Sequence, residues 1–185
     1  MIRLLNSANF SIRKGNRILD LGCSTGRMIR WLAPQAEETE IWGVDINARH
    51  IVWCQENLTP PFNFATVTIE PHLPFKDEYF DLIYCGSVFT HIDDLAYAWL
   101  LELKRIMRPG GMAYITVHDK HTADLIMNHL DRVPYWRTLR KFCYHTIEMK
   151  NSANSTIICI VWLPEGQSPK FSMTSITYVN AGDAF

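Results

Sequence analysis

Over about a hundred residues, short apolar runs alternate with stretches in which apolar positions recur at helical spacing. Arg17–Leu21 (RILDL) is a brief apolar run ending at a glycine-containing turn, and it predicts a buried strand. Thr25–Ala36 carries Met28, Ile29, Trp31 and Leu32 at mixed helical spacing and predicts a helix after that turn. Glu40–Asp45 (EIWGVD) predicts a second strand. Asn47 suits the N-cap of a helix through Gln55–Leu58, because its side-chain oxygen can accept from free N–H groups of the first turn. Phe64–Ile69 alternates apolar and polar residues and predicts a third strand, after which Pro71, Pro74, Lys76, Asp77 and Glu78 mark a loop.

Phe80–Cys85 (FDLIYC) predicts a fourth strand. Asp93 and Asp94 are candidate caps for a helix whose Leu95, Ala98, Trp99, Leu103 and Ile106 share one face. Pro109-Gly110-Gly111 must end that helix near Met107–Arg108, and Met112–Val117 (MAYITV) predicts a fifth strand. Strand and helix thus alternate five times, the pattern of an α/β, Rossmann-like, doubly wound and mostly parallel sheet with helices on both faces. Further on, Thr122–Leu130 and Trp136–His145 have helical patterns. Ser155–Leu163 (STIICIVWL) and Phe171–Val179 predict a C-terminal antiparallel hairpin. The whole chain, residues 1–185, is expected to be one domain, with a short N-terminal cap before the first strand and a variable part from about residue 122.

Composition removes several classes of function. With 18 Lys+Arg against 19 Asp+Glu the net charge is −1, unlike the strongly basic domains that bind nucleic acid by bulk charge, so no nucleic-acid partner is expected. The 48% hydrophobic content excludes disorder. The longest uninterrupted apolar run, Ile157 to Leu163, is far short of a membrane span, so no membrane partner is expected. Five dispersed cysteines without a C-x-x-C pair argue against a disulfide framework or a structural zinc site. Together with the lack of a signal-peptide core at Met1–Leu5, they suggest the cytoplasm.

In an open parallel sheet the ligand lies beyond the carboxyl ends of the strands, where strand order reverses. Gly22 and Gly26 in Asp20-Leu21-Gly22-Cys23-Ser24-Thr25-Gly26 allow a sharp turn and close approach of backbone to a ligand. Asp45, 19 residues after Gly26, is placed to accept both hydroxyls of a ribose. The bland readings are a tight ligand-free turn and a helix-capping Asp, although Asn47 fills the capping role better. The glycine pattern is G-x-x-x-G, not the dinucleotide G-x-G-x-x-G. A carboxylate at Asp20 repels a pyrophosphate and favours an ammonium or sulfonium. The residues therefore point to a cationic, amino-acid-bearing nucleoside rather than a nicotinamide cofactor.

With these residues in place, the chain resembles the class I S-adenosylmethionine-dependent methyltransferases of the small-molecule type. The resemblance rests on ILDLGCSTG (18–26), GVD (43–45), LPFKDEYFDLIYCGSVFTHI (73–92) and LKRIMRPGGMAYITVHD (103–119), and covers about residues 16 to 120. It implies S-adenosyl-L-methionine as cofactor and S-adenosyl-L-homocysteine as product. It also implies that Asp20, Gly22, Cys23, Ser24 and Gly26 hold the methionine part, Asp45 the ribose, and Ile46 the adenine face. His72 and Leu73 would border the adenine edge. Cys85, Gly86 and Ser87 would lie under the sulfonium, and Phe89 and His91 would face the transfer site. Two departures stand out: Ser24 takes the place of a common loop glycine, and Glu70 comes early for an acid facing the adenine amino group.

Methyl transfer from a sulfonium is an in-line displacement, so alignment dominates and a general base matters only for a protonated nucleophile. His91 is the first candidate base and His118, beside Asp119, the second; each also fits a loop or cap role. His118, Asp119 and His121 form a weak metal motif without a second acid at a matching strand end, so no metal is expected. Tyr135, Trp136, Phe142 and Tyr144 suit either an acceptor pocket or the core. The expected partner is a small-molecule acceptor, and the short N-terminal segment leaves room for a homodimer to complete the site. The rival reading is a non-catalytic S-adenosylmethionine-binding or scaffold domain of a larger protein.

Overall fold

A strand at the centre of a mostly parallel sheet is covered on both faces, and β4 (Phe80–Cys85), in which every position is buried, Asp81 included, is the clearest case. The computed structural model describes residues 2–7, 10–89, 91–92, 95–117 and 156–161. Around β4 lie β1 (Arg17–Leu21), β2 (Glu40–Asp45), β3 (Asn63–Thr66), β5 (Met107–Val117) and β6 (Thr156–Val161). Their order is β3-β2-β1-β4-β5-β6, the first five parallel and β6 antiparallel to β5. The alternating, mostly parallel architecture expected from the sequence is therefore present. Of the expected hairpin, β6 supplies one arm, and 171–179 lies outside the described residues, as do the helical patterns at 122–130 and 136–145.

The strand period of two sends alternate residues to opposite faces. Ile18, Leu82, Tyr84, Met112 and Tyr114 pack with Leu5 of α1 (Ile2–Ser7), Ile29 and Leu32, and Ile51 and Cys54 of α2 (Ala48–Leu58). Leu19, Leu21, Ile83, Cys85, Ala113 and Ile115 pack against Trp99, Leu103 and Ile106 of α3 (Ala96–Ile106). Each of those α3 side chains contributes about 1.5–3 kcal/mol by leaving water, which makes α3 the fastener of its face.

Local chemistry moved several boundaries. Asn47 caps α2 as expected, its side chain accepting from the N–H groups of Arg49 and His50. The helix expected over Thr25–Ala36 is instead a run of turns followed by a 3-10 segment, Ile29–Gln35. Ser24 and Gly26 take left-handed φ values of 51° and 75°, which an α-helix cannot propagate, and Pro34 lacks the N–H for an internal bond. β3 stops at Thr66, opposite Asp45, because β2 ends there and leaves later residues no ladder beyond Val67 N–H to Asp45 O (3.0 Å). Pro109-Gly110-Gly111 does not precede β5 but lies inside it. Pairing slips there, from Phe80 opposite Met107 to Leu82 opposite Met112, with Gly110 at φ +80°. The position before α3 is Leu95, without a side-chain cap bond; Asp93 and Asp94 lie outside the described residues.

Candidate functional site

The order of strands reverses between β1 and β4, and the loops after β1, β2 and β4 gather at that end of the sheet. Gly22 has φ +76°, and a Cβ there would run into Val88; a Cβ on Gly26 would lie 2.5 Å from Leu58 Cδ1. Both positions thus need glycine for backbone shape and packing. Ser24, the departure in the middle of the loop, sits in the left-handed region at φ 51° and is held from two sides. Its N–H donates to Asp45 Oδ2 at 2.8 Å, and its hydroxyl lies 3.3 Å from His50 Nδ1.

Asp45 closes β2 half-buried. Its other oxygen, Oδ1, accepts from the Asn47 N–H at 2.8 Å. Two backbone donors therefore fix the carboxylate, and each oxygen keeps acceptor capacity for a further hydroxyl. Ile46, beside it, is 61% exposed, an apolar side chain in water at the rim.

Asp20 is different in kind. Its carboxyl is 2% exposed, and Oδ2 has no hydrogen-bond partner among the described residues. Burial pushes its pKa up to about 7, with the nearby Tyr84 hydroxyl lowering it, Asp45 raising it, and the Ile29 N–H and Arg27 lowering it. The thiols of Cys23 and Cys85 are buried, and burial followed by the negative charge of Asp20 raises both pKa values, so neither is a nucleophile near neutral pH. Their side chains belong to the core, leaving only their backbone to the site.

After β4, Gly86 is half-buried, and Ser87 is exposed at φ 62° with its N–H donating to Thr116 Oγ1 on β5 at 2.6 Å. Phe89 packs against the α3-side core. His91 is exposed on a turn closed by its N–H to Val88 O at 2.9 Å. His118, Asp119 and His121 lie outside the described residues, as do Tyr135, Trp136, Phe142 and Tyr144. No cluster of three His, Cys, Asp or Glu side chains suited to a metal occurs among the described residues.

The loop after β3 divides its two expected residues. His72 is exposed, whereas Leu73 is 1% exposed and belongs to the core. A pair that sequence reasoning missed fixes this loop. Glu102 on α3 accepts from the Leu73 N–H at 2.6 Å and from Arg105 Nη2 (2.6 Å) and Nε (2.8 Å). Arg105 in turn donates to the carbonyls of Leu73 and Phe75 and to Asp77. Burial alone would raise the Glu102 pKa, but Arg105 and the Leu73 N–H outweigh it and hold it below the ordinary value. The available signal was the Glu-x-x-Arg spacing on α3, which puts both side chains on one face.

Residues 19–115, just over half of the chain, match the family described as a methyltransferase domain. The chain belongs to this family. Its mostly parallel sheet with helices on both faces is the class I architecture of S-adenosylmethionine-dependent methyltransferases. The methyltransferase domain is 29% identical over 124 residues to the ubiquinone/menaquinone biosynthesis C-methyltransferase UbiE of Cupriavidus pinatubonensis, a match covering 64% of this chain and 49% of that protein. The chain spans about half the length of the curated relatives it matches. In fold it is similar to YcgJ of Bacillus subtilis (TM-score 0.55, 22% identity, covering 76% of this chain and 65% of that one). It is likewise similar to a SAM-dependent methyltransferase of Aquifex aeolicus (TM-score 0.51, 21% identity, covering 62% and 65%). No helix among the described residues of the methyltransferase domain is long and apolar enough to cross a membrane.

The residues present fit the family's cofactor. A backbone-fixed carboxylate at Asp45 matches vicinal hydroxyls, and the orphaned carboxyl oxygen of Asp20 beneath the loop matches a nearby positive charge.

Proposed function

We propose that the domain binds S-adenosyl-L-methionine at the carboxyl ends of β1, β2 and β4 and transfers its methyl group to a small-molecule acceptor. The observation that carries this reading is the contrast between Asp45, fixed and half-exposed, and Asp20, buried just before the same loop with an oxygen that has no partner among the described residues. Asp45 accepts the ribose hydroxyls, Ile46 covers one adenine face, and His72 borders its edge. The backbone of Gly22–Gly26 and of Cys85–Ser87 lines the methionine end, with Asp20 supplying negative charge from below. The bound sulfonium supplies an activated methyl group; the protein supplies alignment. For a protonated nucleophile, His91 takes the proton, its exposure leaving the ring free to reach an acceptor; His118 is the second candidate.

The similarity to UbiE supports a small-molecule acceptor, and O, N or C attack follows from whichever acceptor fits. A homodimer in the cytoplasm belongs to the same reading. Exposed Trp31 and Trp53 offer apolar surface for it, and sedimentation at micromolar concentration reads it directly.

Calorimetric titration with S-adenosylmethionine, S-adenosylhomocysteine and NAD tests the proposal. Binding of the first two without NAD is expected. Tight binding of NAD alone overturns it. Binding of the methyl donor with no turnover across a panel of acceptors turns the reading to a scaffold domain.

A further inference from the structure

Asp20 on β1 and Tyr84 on β4 are register partners across the parallel ladder at the reversal point. Tyr84 is 0% exposed, and its hydroxyl, like Asp20 Oδ2, has no hydrogen-bond partner among the described residues. Two polar groups side by side in a core, each without a well-formed hydrogen bond among the described residues, cost several kcal/mol together by the usual reckoning, so a sequence that keeps both needs a reason. The Tyr84 hydroxyl is near enough to favour the ionised form of Asp20. A phenylalanine would fill the same space without the orphaned hydroxyl. Asp20 stands two residues before Gly22, which opens the loop proposed to hold the methionine part of the cofactor. Resting on that reading, we infer that Tyr84 is a positioning residue of the cofactor site, whose hydroxyl donates to the Asp20 carboxylate once a cationic amino-acid group arrives above it.

The physical logic is a coupled proton. Without ligand the Asp20 carboxyl is poised near neutrality, because burial opposes ionisation. An ammonium group over the loop favours the ionised form, and the Tyr84 hydroxyl then gains a strong acceptor. Binding a cationic ligand therefore releases a proton from Asp20, and affinity rises with pH until the free carboxyl is ionised. The groups facing Asp20 act in known directions. Asp45 from β2 opposes its ionisation, and Arg27 from the loop favours it. The thiols of Cys23, Cys54 and Cys85 are neutral in this range, all three raised above their ordinary values. Tyr84 is itself neutral, burial and then Asp20 holding its pKa well above the ordinary value.

The test is the pH profile of S-adenosylhomocysteine affinity from pH 5.5 to 8 for the intact protein and Tyr84→Phe. Methylthioadenosine, which lacks the amino-acid group, serves as the control ligand. The intact protein binds S-adenosylhomocysteine more tightly as pH rises, while methylthioadenosine affinity stays flat. Tyr84→Phe moves the profile to higher pH, weakening binding near pH 6.5 by about three- to tenfold and converging with the intact protein at pH 8. Superimposed profiles overturn the inference and leave the proposed cofactor site standing, as does an equal change for methylthioadenosine. No S-adenosylhomocysteine binding at any pH removes both. Should Tyr84→Phe fail to fold, the Tyr84 ring carbon shift in the intact protein decides. It must follow the Asp20 titration, and that titration must move to lower pH when S-adenosylhomocysteine is added; two independent titrations overturn the inference.

Discussion

Two buried acids, Asp20 and Glu102, stand on opposite sides of the sheet, and their surroundings differ in every respect that matters. Glu102 is 5% exposed and engaged on both oxygens, by the Leu73 N–H and two Arg105 nitrogens. Asp20 is 2% exposed, and its Oδ2 has no hydrogen-bond partner among the described residues. Asp81, the third buried acid among the described residues, resembles Glu102, since it accepts from the Arg17 N–H and from Arg108, each at 2.8 Å. A buried carboxylate that has its partners is part of the scaffold. Asp20 Oδ2, at the reversal point of a parallel sheet, has no such partner among the described residues, which under the proposed function leaves it to the positive charge of the cofactor.

The sharpest way to break that comparison is to remove the satisfied acid. Glu102→Ala strands the Arg105 guanidinium and the Leu73 N–H, and is expected to cost about 3–5 kcal/mol of unfolding free energy. Urea denaturation measures it. A loss under about 1 kcal/mol, the scale of a solvated surface pair, would mean that the Glu102–Arg105 pair is no anchor for the loop after β3.

The next effect is one of sign. Asp20 in the folded state has its pKa raised from its ordinary 3.8 to about 7. Between those values the folded protein keeps a proton that the unfolded chain has released, so this group makes stability fall as pH rises through the window. The effect is on the order of 4 kcal/mol across it. Glu102, whose folded pKa is lowered, acts oppositely, contributing stability above its unfolded pKa that is lost as pH falls through the folded one. Asp20→Asn is therefore expected to flatten the decline between pH 5 and pH 8, measured by denaturation at both. Parallel slopes in the two proteins would make Asp20 an ordinary carboxylate.

These contrasts also mark what the sequence could carry. β1, β2, β4 and the Asn47 cap follow from local pattern, because a strand covered on both faces is mostly apolar, with only a few acids such as Asp20, Asp45 and Asp81, and an N-cap is a one-residue chemistry. The 3-10 segment was missed because apolar spacing at Met28–Leu32 is indifferent to the left-handed turns before it and to Pro34 within it. Asp20, Asp45 and the glycines are legible as a motif. Leu73 and Cys85 fall at expected positions but turn their side chains into the core, a matter of strand parity and loop anchoring that motif spacing does not encode. Tyr84 reads as one more apolar residue in FDLIYC. Only the pairing of β1 with β4, strands some sixty positions apart, sets its hydroxyl beside Asp20.

Asp45 sharpens the comparison from a third side, since it is half-exposed and already fixed by two backbone donors. Asp45→Ala is expected to weaken S-adenosylhomocysteine binding by about 1–3 kcal/mol through lost charge-assisted hydrogen bonds. An unchanged dissociation constant would place the ribose elsewhere.

The smallest effect is the most specific, and the same variant gives it in the absence of ligand. Asp45 opposes the ionisation of Asp20, so Asp45→Ala must lower the pH at which the Asp20 carboxyl titrates. Carboxyl carbon shifts read this directly. The two acids then form one electrostatic unit in which the half-exposed member adds to the burial that holds the buried one near neutrality. If instead the Asp20 midpoint stays fixed, burial alone sets it and the two carboxylates act separately on whatever binds between them. Glu102 provides the control: α3 carries it on the other face, its titration is governed by burial against Arg105, the Leu73 N–H and His72, and it is expected to stay in place.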